Sequence, residues 1–211
     1  MCKRVAVLFS GGIDSSYTAV SLLKQGYDVT LIHFDNGAML ESELAYCRYN
    51  EIKKNFDNVS YISQSSVGFF RRLALKDIEQ DFKKFNNNLI CLGCRYAMHT
   101  KMINYCLQNE IYIVADGAMV KQNFYSEQTE VAISFFKAFY MKNKISYINP
   151  VYLMSKEEIK YGLFDEGITI QSMENTCLFN GTFSTSTDEV VIEYLKSKEE
   201  DASKLISVIK K

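Results

Sequence analysis

One proline and no tryptophan occur in 211 residues, beside many Lys, Asn, Ile and Tyr. This pattern is the compositional habit of a genome and excludes no function. Positive charge is not in excess either. A formal net charge of −1 excludes a global basic field that holds nucleic acid by phosphate neutralisation alone, so a nucleic-acid substrate requires a local patch or a partner. Long apolar runs are missing too. Met1-Cys2-Lys3-Arg4 leads only into Val5 to Phe9, too short for a signal peptide or a membrane-spanning helix. The expectation is a cytoplasmic protein with no membrane partner. No repeat and no low-complexity linker is present, and 47% hydrophobic with 23% charged residues is the balance of an ordinary folded domain. The length suffices for one self-sufficient core.

Val5-Ala6-Val7-Leu8-Phe9 lacks polar alternation, which suits a strand buried on both faces. A helix follows, with Gly26 as its stop. Asp28 to His33 is a second strand, Asp35-Asn36-Gly37 a turn, and Leu40, Leu44, Cys47 and Ile52 mark the apolar positions of a second helix. Val59 to Ile62 and Ile111 to Ala115 read as further strands, the latter closed by Asp116-Gly117. Strands alternating with helices imply an α/β fold: a parallel sheet with helices on both faces. Val67 to Phe85 suits one amphipathic helix, Arg95 to Gln108 another. Ser155-Lys156-Glu157-Glu158 is a capping box that starts a helix after Pro150. From about Asp188 the tail, with Val191, Tyr194, Leu195, Leu205 and Ile209, is helical. Pro150 marks the expected division into residues 1–150 and a short helical C-terminal segment, 151–211.

Between the first strand and the first helix stands Ser10-Gly11-Gly12-Ile13-Asp14-Ser15-Ser16. Two glycines let backbone N–H groups approach an anion, the helix amino end adds partial positive charge, and the hydroxyls of Ser10, Ser15 and Ser16 add donors. Asp14 is assigned either to a Mg²⁺ ion bridging the phosphates or to bracing the loop. No Gly-Lys-Ser/Thr follows, so the loop is not a Walker A.

This loop resembles that of the N-type PP-loop ATP pyrophosphatases, which carry SGGxDS on the first βα turn of an adenine-nucleotide alpha-hydrolase fold. The resemblance implies an enzyme that cleaves ATP between the α and β phosphates. A substrate oxygen attacks the α-phosphate, and a nucleophile then displaces AMP. It makes residues 1–150 the ATP pyrophosphatase domain. It also places Asp35 and Gly117 with the loop residues at the nucleotide-binding edge of the sheet and offers Lys156 as a phosphate ligand.

Six cysteines occur, at 2, 47, 91, 94, 106 and 177. Cys91-Leu92-Gly93-Cys94 precedes the helix expected from Arg95, so both sulfurs lie near a helix amino end, where the dipole favours thiolate. Zinc half-site, core and redox readings of this pair remain open. Absence of a second CxxC disfavours a four-thiolate zinc site. Cys2, Cys47 and Cys106 read as packing residues, His33 as a core or edge residue, and His99 as a helix residue away from the cysteines. Phe135, Phe136, Phe139 and Tyr140 are spaced as the core face of a helix.

The order of the CxxC pair, Pro150-x-x-x-x-Ser-Lys-x-Glu-Ile159 and Cys177-Leu178-Phe179-Asn180-Gly181 is similar to the tRNA 2-thiouridylase group of sulfur-inserting PP-loop enzymes. That resemblance makes Cys91 and Cys177 catalytic. Some members bind a 4Fe-4S cluster through three thiolates, here Cys91, Cys94 and Cys177; others use a persulfide and a resolving thiol. The implied partners are tRNA or a small nucleobase-like acceptor and a sulfur donor, sulfide or a persulfide carrier, with a homodimer left open. The RNA-binding domain usual in thiouridylases has no room here, so Arg71, Arg72, Lys76, Lys83, Lys84 and Arg95 are the candidate local patch. The alternative is nitrogen transfer resembling 7-cyano-7-deazaguanine synthase. Of the four clustered cysteines near that group's carboxyl end, only Cys177 has a counterpart.

Overall fold

The computed structural model describes residues 3–40, 43–122, 124–179 and 185–207. Cys2, Asn180-Gly181 and Ile209 lie outside the described residues. Five parallel strands, β1 (Arg4–Leu8), β2 (Asp28–Asp35), β3 (Val59–Ser65), β4 (Ile113–Ala115) and β5 (Ser146–Ile148), form one sheet in the order β3-β2-β1-β4-β5. Register is set by apolar residues that face opposite ways along β1. Val5, Val7 and Phe9 enter one core with Val29 and Leu31, while Ala6 and Leu8 enter the other with Ile32, Phe34 and Val114. Such two-sided burial explains why β1 shows no polar alternation.

The first core is roofed by α1 (Ile13–Lys24), α2 (Leu44–Lys53) and α7 (Lys156–Asp165) through Val20, Leu23, Ile52, Ile159 and Leu163. The second is roofed by α5 (Ile90–Asn109), α6 (Glu130–Met141) and α8 (Asp188–Ser207) through Tyr96, Met102, Phe136, Phe139, Tyr140, Val191 and Leu195. Helices on both faces of a parallel sheet are thus present, and the last two helices contribute one to each face. Ser155 caps α7 in the expected box, its hydroxyl accepting from Glu158 N while Glu158 accepts from Ser155 N.

Three local expectations differ. The helix expected over Val67 to Phe85 is broken into α3 (Val67–Phe70), a π-helical turn over Arg71–Leu75, and α4 (Ile78–Phe85). Tertiary packing wins over the helical period there. The Tyr194 hydroxyl of α8 donates to Leu73 O at 3.2 Å, and Ala74 packs so closely on α5 that a Cβ at Gly93 would lie 2.8 Å from the Ala74 Cβ. The helix expected from Arg95 already starts at Ile90, whose N–H donates to Asn88 Oδ1 at 3.1 Å. Cys91 and Cys94 therefore stand within its first turns. In α2, Cys47 is exposed, and the inward face carries Ala45, Arg48 and Ile52. A guanidinium can turn inward there because backbone carbonyls meet it.

Candidate functional site

In the order β3-β2-β1-β4-β5 the sheet reverses between β1 and β4, the position where open α/β sheets hold ligands beyond their carboxyl ends. Ser10–Gly12 follow β1, and Asp116–Gly117 follow β4. Their approach leaves no room for side chains: a Cβ at Gly117 would lie 2.7 Å from Ser15 N. Gly11 has φ +85, which L side chains rarely adopt, and a Cβ there would be 2.5 Å from Met173 O.

The loop is internally braced. Gly12 N donates to Ser10 Oγ at 3.2 Å, and the Ser10 and Ser15 hydroxyls are 3.1 Å apart. Ser16 turns inward: its hydroxyl donates to Gly12 O at 2.7 Å and the residue is fully buried. It braces the loop, and so does Ser15, whose hydroxyl donates to Gly12 O at 3.1 Å. Gly12 caps α1 with no side-chain bond, which leaves helix N–H groups and their partial positive charge for an anion.

Asp14 meets Lys156, the first residue of α7, with Nζ 2.6 Å from Oδ1. Gln122 Nε2 donates to Asp14 Oδ2 at 3.2 Å. Asp35 takes a turn-bracing position, accepting from Gly37 N at 2.7 Å through Oδ1. This contact closes the turn that presents Asn36.

Asn36, buried and not singled out by any motif, joins the cysteines. Its Nδ2 lies 3.3 Å from Cys94 Sγ and 3.9 Å from Cys177 Sγ. Burial pushes the Cys94 thiol up to about 12, the Asn36 hydrogen bond opposing it and the neighbouring Cys177 and Cys91 adding to it. The helix dipole favours thiolate, but desolvation outweighs it here. Cys94 and Cys177, from two distant segments, therefore meet at Asn36, and Cys91 adds to the Cys94 shift; thiols are the donors an iron-sulfur cluster would take. Among the described residues, no three Cys, His, Asp or Glu side chains stand as a ready-made metal site.

Cys177 is brought there by a strap, residues 169–178, lying across the Ser10–Gly12 loop. Arg48, fully buried in α2, roots it. Its Nη1 donates to Thr169 O at 2.6 Å, its Nη2 to Gln171 O, and its Nε to Gly11 O at 3.4 Å, with Glu51 as counter-ion at 2.7 Å. Met173 N then donates to Gly11 O at 3.2 Å. Asn175 Nδ2 donates to His33 Nε2 at 3.1 Å, and His33 Nδ1 bonds Phe9 O at 3.1 Å, so His33 is neutral with its proton on Nδ1. Burial lowers its pKa accordingly. Leu40 N donates to Thr176 O at 2.7 Å, Cys177 bridges Met39, and Leu178 N donates to Ala38 O at 2.8 Å.

Below the cysteines, Arg95 Nη2 pairs with buried Asp116 at 2.5 Å. Asp116 also accepts from the Tyr147 hydroxyl, from Asn149 Nδ2 at 2.7 Å and from Ala118 N at 2.8 Å. His99 is buried beside this group, with Nδ1 3.0 Å from the Tyr140 hydroxyl. It contacts no cysteine in any hydrogen bond described. The candidate RNA patch is largely neutralised: Arg72 and Lys76 pair with Asp201 at 2.8 and 3.7 Å, Lys84 with Glu193 at 2.8 Å, and Arg95 with Asp116. No helix among the described residues is long and apolar enough to cross a membrane.

Residues 3–203 match the model of a family described as of unknown function, DUF7411. The chain belongs to that family. It is 33% identical over 100 residues to the tRNA-specific 2-thiouridylase MnmA of Parvibaculum lavamentivorans, covering 43% of this chain and 25% of that protein. The same-named protein of Hyphomonas neptunium is 30% identical over 103 residues, 45% of this chain and 26% of that one. A 33-residue stretch, 16% of this chain and 7% of the other, is 54% identical to 7-cyano-7-deazaguanine synthase 2 of Sulfurisphaera tokodaii. The chain thus spans about a quarter of the length of the two thiouridylases. A solved structure described as a predicted subunit of tRNA methyltransferase from Methanocaldococcus jannaschii is similar with a TM-score of 0.43 and 25% identity, over 80% of this chain and 90% of that one.

Proposed function

We propose that this protein cleaves ATP to AMP and pyrophosphate in order to exchange a nucleobase carbonyl oxygen, in tRNA, for sulfur. The observation that carries the reading is the meeting of Cys94 and Cys177 at Asn36, on the same sheet edge as the Ser10–Gly12 loop. Similarity to tRNA-specific 2-thiouridylases supports it.

In this scheme the loop N–H groups and the Ser10 and Ser15 hydroxyls bind phosphate oxygens, and Lys156 supplies a cation to them. Asp14, now paired with Lys156, would hold Mg²⁺, for which a carboxylate oxygen is the fitting donor. The acceptor oxygen attacks the α-phosphorus and pyrophosphate leaves. A sulfur nucleophile then attacks the adenylated carbon, and AMP departs with the oxygen. With sulfide, the exchange needs no oxidant or reductant. With a persulfide on one cysteine, the partner thiol cleaves the S–S bond, and the resulting disulfide is reduced by an external thiol. Cys91, Cys94 and Cys177 would hold a 4Fe-4S cluster, which would supply an iron with an open coordination position for sulfur.

A second reading, nitrogen transfer as in 7-cyano-7-deazaguanine synthase, is favoured by the 54% identity over 33 residues. The two are separated by incubating the protein with ATP, Mg²⁺ and either unmodified tRNA plus sulfide or a deazapurine carboxylate plus ammonia, and following pyrophosphate, AMP and product mass. A sulfur-dependent gain of about 16 mass units in tRNA, the difference between sulfur and oxygen, supports sulfur insertion. ATP cleavage driven by ammonia alone would favour nitrogen transfer, and no cleavage with either nucleophile would sink both.

A further inference from the structure

The strap does more than deliver Cys177. Between its two anchored ends, Glu174 reaches into the phosphate loop: a Cβ at Gly12 would lie 3.0 Å from Glu174 Oε2 and 3.2 Å from Ser10 Oγ. The Ser10 hydroxyl lies beside this carboxylate and favours its charged form. A carboxylate therefore lies over the loop backbone at the amino end of α1, where backbone N–H groups and the helix dipole favour an anion.

We propose that Glu174 is a tethered competitor for the nucleotide: its carboxylate occupies the anion cradle of the Ser10–Gly12 loop in the nucleotide-free protein and has to leave before the phosphates of ATP bind. This inference rests on the reading of the loop as an ATP site.

The placement is otherwise unfavourable for an acid. Glu174 is exposed on its outer side, yet desolvation on the loop side raises its pKa, the Ser10 hydroxyl opposes that rise, and the Asp14 charge adds to it. A triphosphate offers the loop donors more charge and more oxygens than a single carboxylate does. The exchange is local. Arg48 fixes the strap at Thr169 and Gln171, and the contacts of Asn175, Thr176 and Leu178 fix it on the other side, so Glu174 is displaced between two held points. Its consequence is a lowered nucleotide affinity: if the carboxylate fills the cradle about nine-tenths of the time, the apparent Kd for ATP is about tenfold above that of the empty cradle.

The test is calorimetric titration of the wild type, Glu174→Gln and Glu174→Ala with ATP, with and without Mg²⁺, and with adenosine. Glutamine keeps the shape of the side chain, so the fold is preserved while the charge is removed. The expected result is a Kd for ATP about tenfold lower in Glu174→Ala, lower in Glu174→Gln also, with adenosine affinity unchanged. Equal or weaker ATP binding by both variants overturns the proposal while leaving the nucleotide site standing. So does a loss confined to Mg²⁺-ATP, which would make Glu174 a cation ligand, or a parallel gain for adenosine, which would place the effect outside the phosphates. Failure of all three proteins to bind ATP would defeat the nucleotide reading itself, and the competitor with it.

Discussion

Lys156 Nζ stands 2.6 Å from Asp14 Oδ1 across 142 residues of chain. The contact ties the first residue of α7 to the first turn of α1, and it brings a cation to the edge of the loop where anions are favoured. Lys156→Ala is expected to weaken ATP binding about tenfold or more, as loss of a charge-assisted contact to phosphate does. Unchanged affinity by calorimetry would remove Lys156 from the nucleotide site.

Asp14→Asn keeps the side-chain volume and removes the charge that would hold Mg²⁺. Pyrophosphate release is expected to fall by about 100-fold or more, because electrostatic positioning carries phosphoryl chemistry. Release at the wild-type rate would confine Asp14 to bracing the loop.

Cys94 and Cys177 meet at the Asn36 amide, and Cys91 is close enough to raise the Cys94 thiol. Protein purified without oxygen is expected to contain about four irons and four sulfides per chain, and each cysteine-to-serine variant to lose them. Colourless wild-type protein that cannot be reconstituted would leave a persulfide pair as the sulfur route. In either case all three variants should still bind ATP, since the phosphate loop is built from other residues.

Arg48 is a buried guanidinium satisfied by three backbone carbonyls and one acid. Arg48→Met leaves those acceptors unpaired, and a loss of about 2–4 kcal/mol is expected from urea unfolding. Arg48→Lys should recover little of it, because a single ammonium cannot fork to acceptors on both the loop and the strap. An unchanged urea midpoint in Arg48→Met would show that the strap needs no root.

His99 is buried and neutral, its pKa held well below 6.5 by burial and then by the Arg95 charge. Below about pH 6.5 the unfolded chain takes up a proton that the folded chain refuses, so stability falls as pH drops. His33, lowered by burial too, adds in the same direction. Thermal unfolding between about pH 5 and 6.5 should show a shallower acid-side loss in His99→Gln than in the wild type. Identical slopes would show that the His99 site admits the proton.

The periodicity of short segments was sufficient for the α/β class, because β1 is apolar on both faces and only a sheet covered on both sides hides it. Ser10-Gly11-Gly12 and the capping box at Ser155 were legible for the same reason: each is a local arrangement whose partners lie within a few residues. Arg48 and Asn36 were not legible. One reads as a surface helix arginine and the other as a turn residue, until carbonyls 121 and 123 residues away and a thiol 141 residues away define their roles. Glu174 belongs to the same class. Chain sequence by itself determined which residue types could handle phosphate and sulfur and which strands would be buried. Only the tertiary structure decided that Cys94 meets Cys177, that burial raises the Cys94 thiol, and that the Glu174 carboxylate lies beside Gly12. Those outcomes depend on desolvation and on contacts between distant segments, and neither is encoded in local spacing.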